Sequence, residues 1–220
     1  MPQLIRINGS MRAISAPRDI GTSSAFVDIF IDDVYGLSKL SDVRTIIDVG
    51  AHAGFFSLAS RMRFPEAIIH AYEPNPATLP FLKSQAMTGR FDVFAEAVGC
   101  SDGMVSVDQG LDSVHATTHS GGDVPMISIR RAIERIGGTV DLLKLDCEGA
   151  EWEILTDTAA IRAVKYLRME YHLNAIRRDT SELASLLSAF ECTMTSRDGP
   201  NYGREWRDSR TVIPLEATLF

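Results

Sequence analysis

Cysteine is scarce in this chain. Only Cys100, Cys147 and Cys192 occur among 220 residues, and no two stand at CxxC spacing. The sequence therefore offers neither a disulfide framework nor a thiolate zinc site, and a reducing, cytoplasmic compartment is the expectation. Basic residues are in deficit: 22 Lys and Arg face 29 Asp and Glu, for a formal charge of −7. A protein that tracks a phosphate backbone usually carries a basic field, so no nucleic-acid partner is expected. No apolar run approaches the ~18–20 residues of a bilayer-spanning helix. Residues 1–14 lack the apolar core of a secretory leader, so no membrane association is expected either. Internal repeats and low-complexity tracts are absent.

What is present is the composition of a soluble globular protein, 45% apolar and 23% charged. The first 40 residues read as an N-terminal extension, with the main domain over 41–220. In the extension, Asn8-Gly9 between two short apolar runs is a hairpin signal, because both residues tolerate positive φ. A helix capped by Ser23 or Ser24 is expected to run to about Leu37, with Phe26, Val27, Phe30, Ile31 and Val34 at helical spacing.

From Arg44 onward strands and helices alternate. Strands are expected at 45–49, 67–72, 91–95, 140–145 and 164–169, with helices at 54–62, from 75 or 78 to 88, at 130–136 and at 150–155 between them. Shorter strands at 104–107 and 124–129 flank a Gly/Ser/Thr/His loop. Leu183, Leu186, Leu187 and Phe190 form the stripe of a surface helix, and final strands follow at 192–195 and 211–220. This α/β order implies βαβ units and a mostly parallel sheet, whose ligands bind beyond the carboxyl ends of the strands.

Four groups of residues fall on that edge. Asp48-Val49-Gly50-Ala51-His52-Ala53-Gly54 is a strand-to-helix turn. Glycine there lets backbone approach a ligand, and the following helix N-terminus suits an anion, carboxylate or phosphate. Its GxxxG spacing fails the GxGxxG test of a dinucleotide site. Glu73, 25 residues after Asp48, ends the next strand, where a carboxylate can accept from both hydroxyls of a ribose. If the strand at 140–145 continues to Glu148, then Asp146 and Glu148 project to one face. Lys144 is expected to be salt-bridged or buried by its stem, and Glu151 and Glu153 to complement a helix dipole. Glu170 and His172 repeat the i, i+2 relation on a neighbouring strand. His115 and His119 are expected in a polar loop, and the four arginines of 197–210 in an exposed connection.

In these residues the sequence resembles the FkbM family of class I S-adenosylmethionine-dependent methyltransferases. Ile46-Ile47-Asp48-Val49-Gly50-Ala51-His52-Ala53-Gly54-Phe55-Phe56-Ser57 and Tyr72-Glu73-Pro74-Asn75-Pro76 carry the resemblance first. Ala97-Val98-Gly99-Cys100-Ser101-Asp102-Gly103 follows, then Val140 to Glu151, of which Lys144-Leu145-Asp146-Cys147-Glu148-Gly149-Ala150-Glu151 is the most distinctive part, and Met169-Glu170-Tyr171-His172. His52 stands where the family commonly has Asn. Pro214 falls in the last expected strand, where it removes a ladder bond and predicts a bulge or a shortened strand.

The resemblance implies a Rossmann-like class I methyltransferase fold: a seven-stranded, mostly parallel sheet with the last strand antiparallel and helices on both faces. It implies S-adenosylmethionine as cofactor. The methionyl carboxylate would lie at the turn formed by Asp48, Gly50, His52 and Gly54, and the ribose on Glu73. Adenine would lie near Pro74, Glu96 and Ala97, with the methyl group directed at Asp146. The implied reaction is methyl transfer to a hydroxyl on a sugar, glycoside or other small metabolite. His172 is the first candidate for the base because its free pKa lies near neutrality, and Glu170, Glu148 and Asp146 are the alternatives. A metal-assisted variant would place a divalent cation such as Mg²⁺ on Asp146, Glu148 and Glu170. Two other classes remain in view: an NAD-type oxidoreductase sharing the ribose acid, and a non-catalytic S-adenosylmethionine-binding module.

Overall fold

The computed structural model describes residues 1–7, 9–108, 117–170, 180–188, 190–194 and 215–219. An antiparallel hairpin opens the chain, β1 (Leu4–Ile7) against β2 (Ser10–Ala13), with Ile7 opposite Ser10. Helix α1 follows over Ile20–Phe30. Its cap is Asp19 rather than Ser23 or Ser24, since the Asp19 carboxylate accepts from the Thr22 N–H at 2.7 Å. The helix also stops short of Leu37. Asp33 takes a left-handed φ of 47°, and its carboxylate accepts from the N–H groups of Leu37 and Ser38, folding 31–40 into a compact turn.

The main sheet is built from β3 (Thr45–Val49), β4 (Ile68–Tyr72), β5 (Asp92–Phe94), β10 (Val140–Leu145), β11 (Val164–Met169), β12 (Phe190–Met194) and β13 (Leu215–Leu219). Among the described residues its seven strands lie in the order β12-β13-β11-β10-β3-β4-β5. The strands from β5 across to β11 run parallel, and β13 is antiparallel to both of its neighbours. This is the sheet that the resemblance implies. The expected bulge at Pro214 lies outside the described residues.

Both faces of the sheet are covered, because alternate residues of its β-branched strands are buried on opposite sides. Ile47, Val49, Leu143 and Leu145 pack with α4 (Ile129–Ile136), α5 (Glu151–Thr156), α6 (Thr158–Ile161) and α7 (Thr180–Leu186). Ile46, Ile69 and Leu142 pack with α1, α2 (Phe55–Arg63) and α3 (Leu79–Gly89). Complete burial of side chains such as Trp152, Phe56 and Leu82 contributes about 1.5–3 kcal/mol each. Ile7, Ile14, Phe26, Tyr35 and Leu37 belong to the second of these cores, so the N-terminal elements pack directly on the domain.

A four-stranded sheet that sequence patterning only half reveals stands beside the main one, built in spatial order from β6 (Ala97–Gly99), β9 (Val124–Ser128), β7 (Gly103–Asp108) and β8 (Thr117–Ser120). Strands β7 and β9 answer to the expectation, whereas β6 and β8 do not. His119 therefore lies on a strand rather than in a loop, with its Nε2 3.2 Å from Asp108 Oδ2 on the facing strand. Phe190 begins β12 instead of ending a helix: α7 stops at Leu186, although Leu183, Leu187 and Phe190 all reach the core.

Candidate active site

The parallel strands end on one edge, and backbone hydrogen bonds tie those ends in sequence. Asp146 N donates to Val49 O, Glu170 N to Leu145 O, Gly50 N to Tyr72 O, and Glu73 N to Phe94 O, at 3.0–3.2 Å. Above this edge is a cavity of about 270 Å³. Gly50, His52, Glu73, Pro74, Glu96, Ala97, Asp146, Glu148 and Glu170 all line it. Asp48 and Gly54 do not. They brace the turn from beneath.

Gly50 has a φ of 72°, and a Cβ there would lie 1.8 Å from the Asp146 carbonyl oxygen. Any side chain would push the ends of β3 and β10 apart. Asp48 is completely buried, accepts from Ser57 Oγ in the first turn of α2 at 2.6 Å, and so pins that helix to β3. Lys144 crosses under the turn, donating to Gly50 O at 2.7 Å and lying 3.4 Å from both Asp48 Oδ1 and Asp146 Oδ2. It is both salt-bridged and buried. Burial works against its charge, but Asp146, Asp48 and Glu170 outweigh that and hold its pKa above the ordinary lysine value.

Glu73 is 6% exposed. Its Oε2 accepts from His52 N at 2.7 Å and its Oε1 from Asn75 N at 2.8 Å. Burial pushes its pKa up, and the two backbone donors oppose that shift. Each carboxylate oxygen retains acceptor capacity beyond these single bonds. Glu96 is held from the other side by Arg135, at 2.6 Å.

The acidic loop after β10 is built differently from a continued strand. The strand ends at Leu145, and Glu148 reaches the cavity through a left-handed φ of 54°, not by alternation with Asp146. Holding a non-glycine residue there costs about 1–2 kcal/mol. Glu151 offsets that cost. Fully buried, it accepts from Cys147 N and Gly149 N at 2.8 Å each, so it staples the loop rather than merely complementing the dipole of α5. Burial, with Glu151 and Asp146 nearby, pushes the Cys147 thiol up, so it stays protonated at neutral pH.

Tyr35 is a site residue that sequence reasoning missed. It is buried, lines the cavity, and donates through its hydroxyl to Asp146 Oδ2 at 3.1 Å. Burial first, then the charges of Asp146 and Glu170, raise its pKa well above the phenol range, so it remains a donor. Gly21, Ser24, Ala25, Asp28 and Ile29 of α1 complete that wall. The first-choice base His172, together with His115 and the arginines of 197–210, lies outside the described residues.

Among the described residues the donor set does not fit a divalent cation. Among the described residues no group of three or more His, Cys, Asp or Glu side chains is arranged to hold a metal. The Lys144 ammonium already stands 3.4 Å from Asp146 Oδ2 and would repel one. The residues do fit a ligand with an anionic tail and a diol. The Gly50 turn leads into α2, whose capping residue Gly54 has a φ of 83° and no capping side chain, and Glu73 lies at the adjacent strand end.

The comparisons with known proteins bear on the family and the fold. A sequence model of the methyltransferase FkbM domain matches residues 48–197. Methyltransferase 1 of Beauveria bassiana (strain ARSEF 2860) is 28% identical over 162 residues, covering 58% of this chain and 64% of that protein. Methyltransferase sdnD of Sordaria araneosa is 26% identical over 183 residues, covering 59% and 66%. The matches thus span a little under two thirds of these relatives. Among solved structures, a SAM-dependent methyltransferase from Agrobacterium tumefaciens superimposes with a TM-score of 0.53 at 10% identity, over 95% of this chain and 66% of that one. At that identity the likeness is one of fold. With the matched segment running from the buried Asp48 through the acidic loop and Glu170, the chain belongs to the methyltransferase FkbM domain family.

Proposed function

We propose that this chain is an S-adenosylmethionine-dependent methyltransferase acting on a hydroxyl of a small polar acceptor such as a sugar or glycoside. One observation carries the reading: the Gly50 turn, the buried Glu73 and the acids Asp146, Glu148 and Glu170 share a single cavity on the ligand edge of the sheet. The cofactor, when bound, supplies an electrophilic methyl group on a sulfonium. The chain's residues do the rest. The turn and the N–H groups opening α2 hold the carboxylate end, Glu73 accepts from the ribose hydroxyls, and Pro74, Glu96 and Ala97 flank the base. The wall formed by α1 and Tyr35 limits water and orients the acceptor.

An alcohol is a weak nucleophile until its proton leaves. Asp146 is engaged by Tyr35 and Lys144, which favours a structural and electrostatic part for it. Glu170 and Glu148 line the same space, and His172, two residues beyond Glu170, completes the set of proton acceptors that we assign.

The test is transfer of a tritiated methyl group to a panel of neutral sugars, glycosides and simple amines. Label recovered as an O-methyl ether is expected, with His172→Ala or Glu170→Ala reducing turnover roughly 100-fold for whichever residue is the base. Label recovered only on nitrogen would overturn the hydroxyl assignment. Turnover unchanged in both variants and in Glu148→Ala would overturn the general-base mechanism.

A further inference from the structure

Glu96 and Arg135 form a two-point ion pair at the rim of the cavity. Arg135 Nη1 lies 2.6 Å from Glu96 Oε2, and Nη2 lies 3.3 Å from Oε1. The guanidinium is itself fixed. It sits 4.4 Å from the ring centroid of Phe94 and 5.6 Å from that of Tyr72, and those two rings stack on each other at 4.8 Å with planes 19° apart. Tyr72 is fully buried, and its hydroxyl is 3.5 Å from Nη1. Arg135 thus reaches from the last turn of α4 across the ends of β4 and β5, and a stack of two aromatic rings sets its height.

A carboxylate clamped by a forked guanidinium keeps one orientation, and each of its oxygens retains a lone pair for another donor. Glu96 lines the cavity, whereas Arg135 does not. Glu73 lines the cavity too, and its N–H is bonded to the carbonyl of Phe94, two residues before Glu96. On the S-adenosylmethionine reading Glu73 takes the sugar diol, which leaves Glu96 for the base beyond that sugar. Such a carboxylate accepts from an exocyclic amino group and repels a carbonyl oxygen standing in its place.

We infer that Arg135 is a positioning residue that holds Glu96 so that it reads the amino edge of the cofactor's base. This rests on the S-adenosylmethionine reading above. It goes beyond that reading by making selectivity for a 6-amino over a 6-oxo purine depend on a residue that does not touch the ligand.

The test needs no acceptor. Calorimetry compares S-adenosylhomocysteine with S-inosylhomocysteine, in which a carbonyl replaces the amino group. Wild type is expected to prefer the adenosyl compound by at least about tenfold. In Arg135→Met the ratio falls toward unity, while Arg135→Lys, which keeps the charge but loses the fork, gives an intermediate value. Arg131→Gln, on the outer face of α4 where Arg131 pairs with Asp102, keeps the wild-type ratio. A wild-type ratio in Arg135→Met overturns the proposal; if that variant does not fold, a wild-type ratio in Arg135→Lys does the same. Wild-type protein that binds both compounds equally overturns this inference alone, whereas binding of neither overturns the cofactor reading itself.

Discussion

The phenol of Tyr35 donates a hydrogen bond to Oδ2 of Asp146, 111 residues further along the chain, at 3.1 Å. That bond joins the segment after α1 to the strand end at the centre of the candidate site. The Tyr35 backbone is fixed as well, since its carbonyl accepts from the buried Arg168 Nε of β11 at 2.8 Å, and its ring packs edge-on against Phe56. Tyr35 lies outside the residues 48–197 matched by the family. The first forty residues therefore contribute a wall and a hydrogen-bond donor to the site.

Tyr35→Phe removes only the hydroxyl. It should cost about 1–2 kcal/mol, the worth of a hydrogen bond to a charged group discounted for the partial exposure of Asp146. Urea denaturation measures this, and an unchanged midpoint would contradict the bond.

Lys144→Met leaves Asp48, which is fully buried, without its cation. A loss of about 3–5 kcal/mol is expected, because an uncompensated buried charge is far costlier than a missing surface pair. The same denaturation experiment reads it, and a loss below about 1 kcal/mol would show that the ammonium is not the counter-charge.

Gly50→Ala and Gly137→Ala separate close approach from backbone strain. Both glycines have positive φ. A Cβ at Gly50 meets the Asp146 carbonyl, whereas one at Gly137 meets nothing within 4 Å. The first substitution should cost roughly 4 kcal/mol or prevent folding, and the second about 1–2 kcal/mol. Equal losses would contradict the close approach of β3 and β10.

Stability should fall at alkaline pH. The pKa of Tyr72 is pushed up to about 12, mainly by burial, and Tyr35 and Lys144 are also held above their ordinary values. Between the unfolded values of about 10 and the higher folded ones, the folded chain binds more protons than the unfolded chain. The stabilisation is therefore complete below about pH 10 and is lost as pH rises through the folded pKa values. Urea midpoints at pH 8, 10 and 11 check the sign; a midpoint that is flat or rises over that range contradicts it.

The parts of this fold legible in the sequence are those dictated by local physics. The short apolar runs leading to Gly50, Glu73, Asp146 and Glu170 mark the parallel strands and hence the ligand edge, because period, turn residues and strand length act over a few residues. Strands β6 and β8 escaped because Ala-Val-Gly is too short to show a period and Thr-Thr-His-Ser has no apolar residue to alternate. The projection of Glu148 was read from strand alternation, whereas a positive φ stapled by Glu151 produces it. Tyr35 was invisible for another reason. Its partners, Asp146 and Arg168, lie 111 and 133 residues away, and nothing in its neighbours' spacing encodes that contact.

The central claim is that this edge binds a nucleoside with an amino-acid tail, with the Glu73 carboxylate holding the sugar. Calorimetry of the wild-type chain with S-adenosylhomocysteine tests it most directly. One-site binding is predicted, weakened at least about tenfold in Glu73→Ala, which loses a carboxylate that accepts from two hydroxyls. No heat of binding to the wild type, or equal affinity in Glu73→Ala, would contradict it.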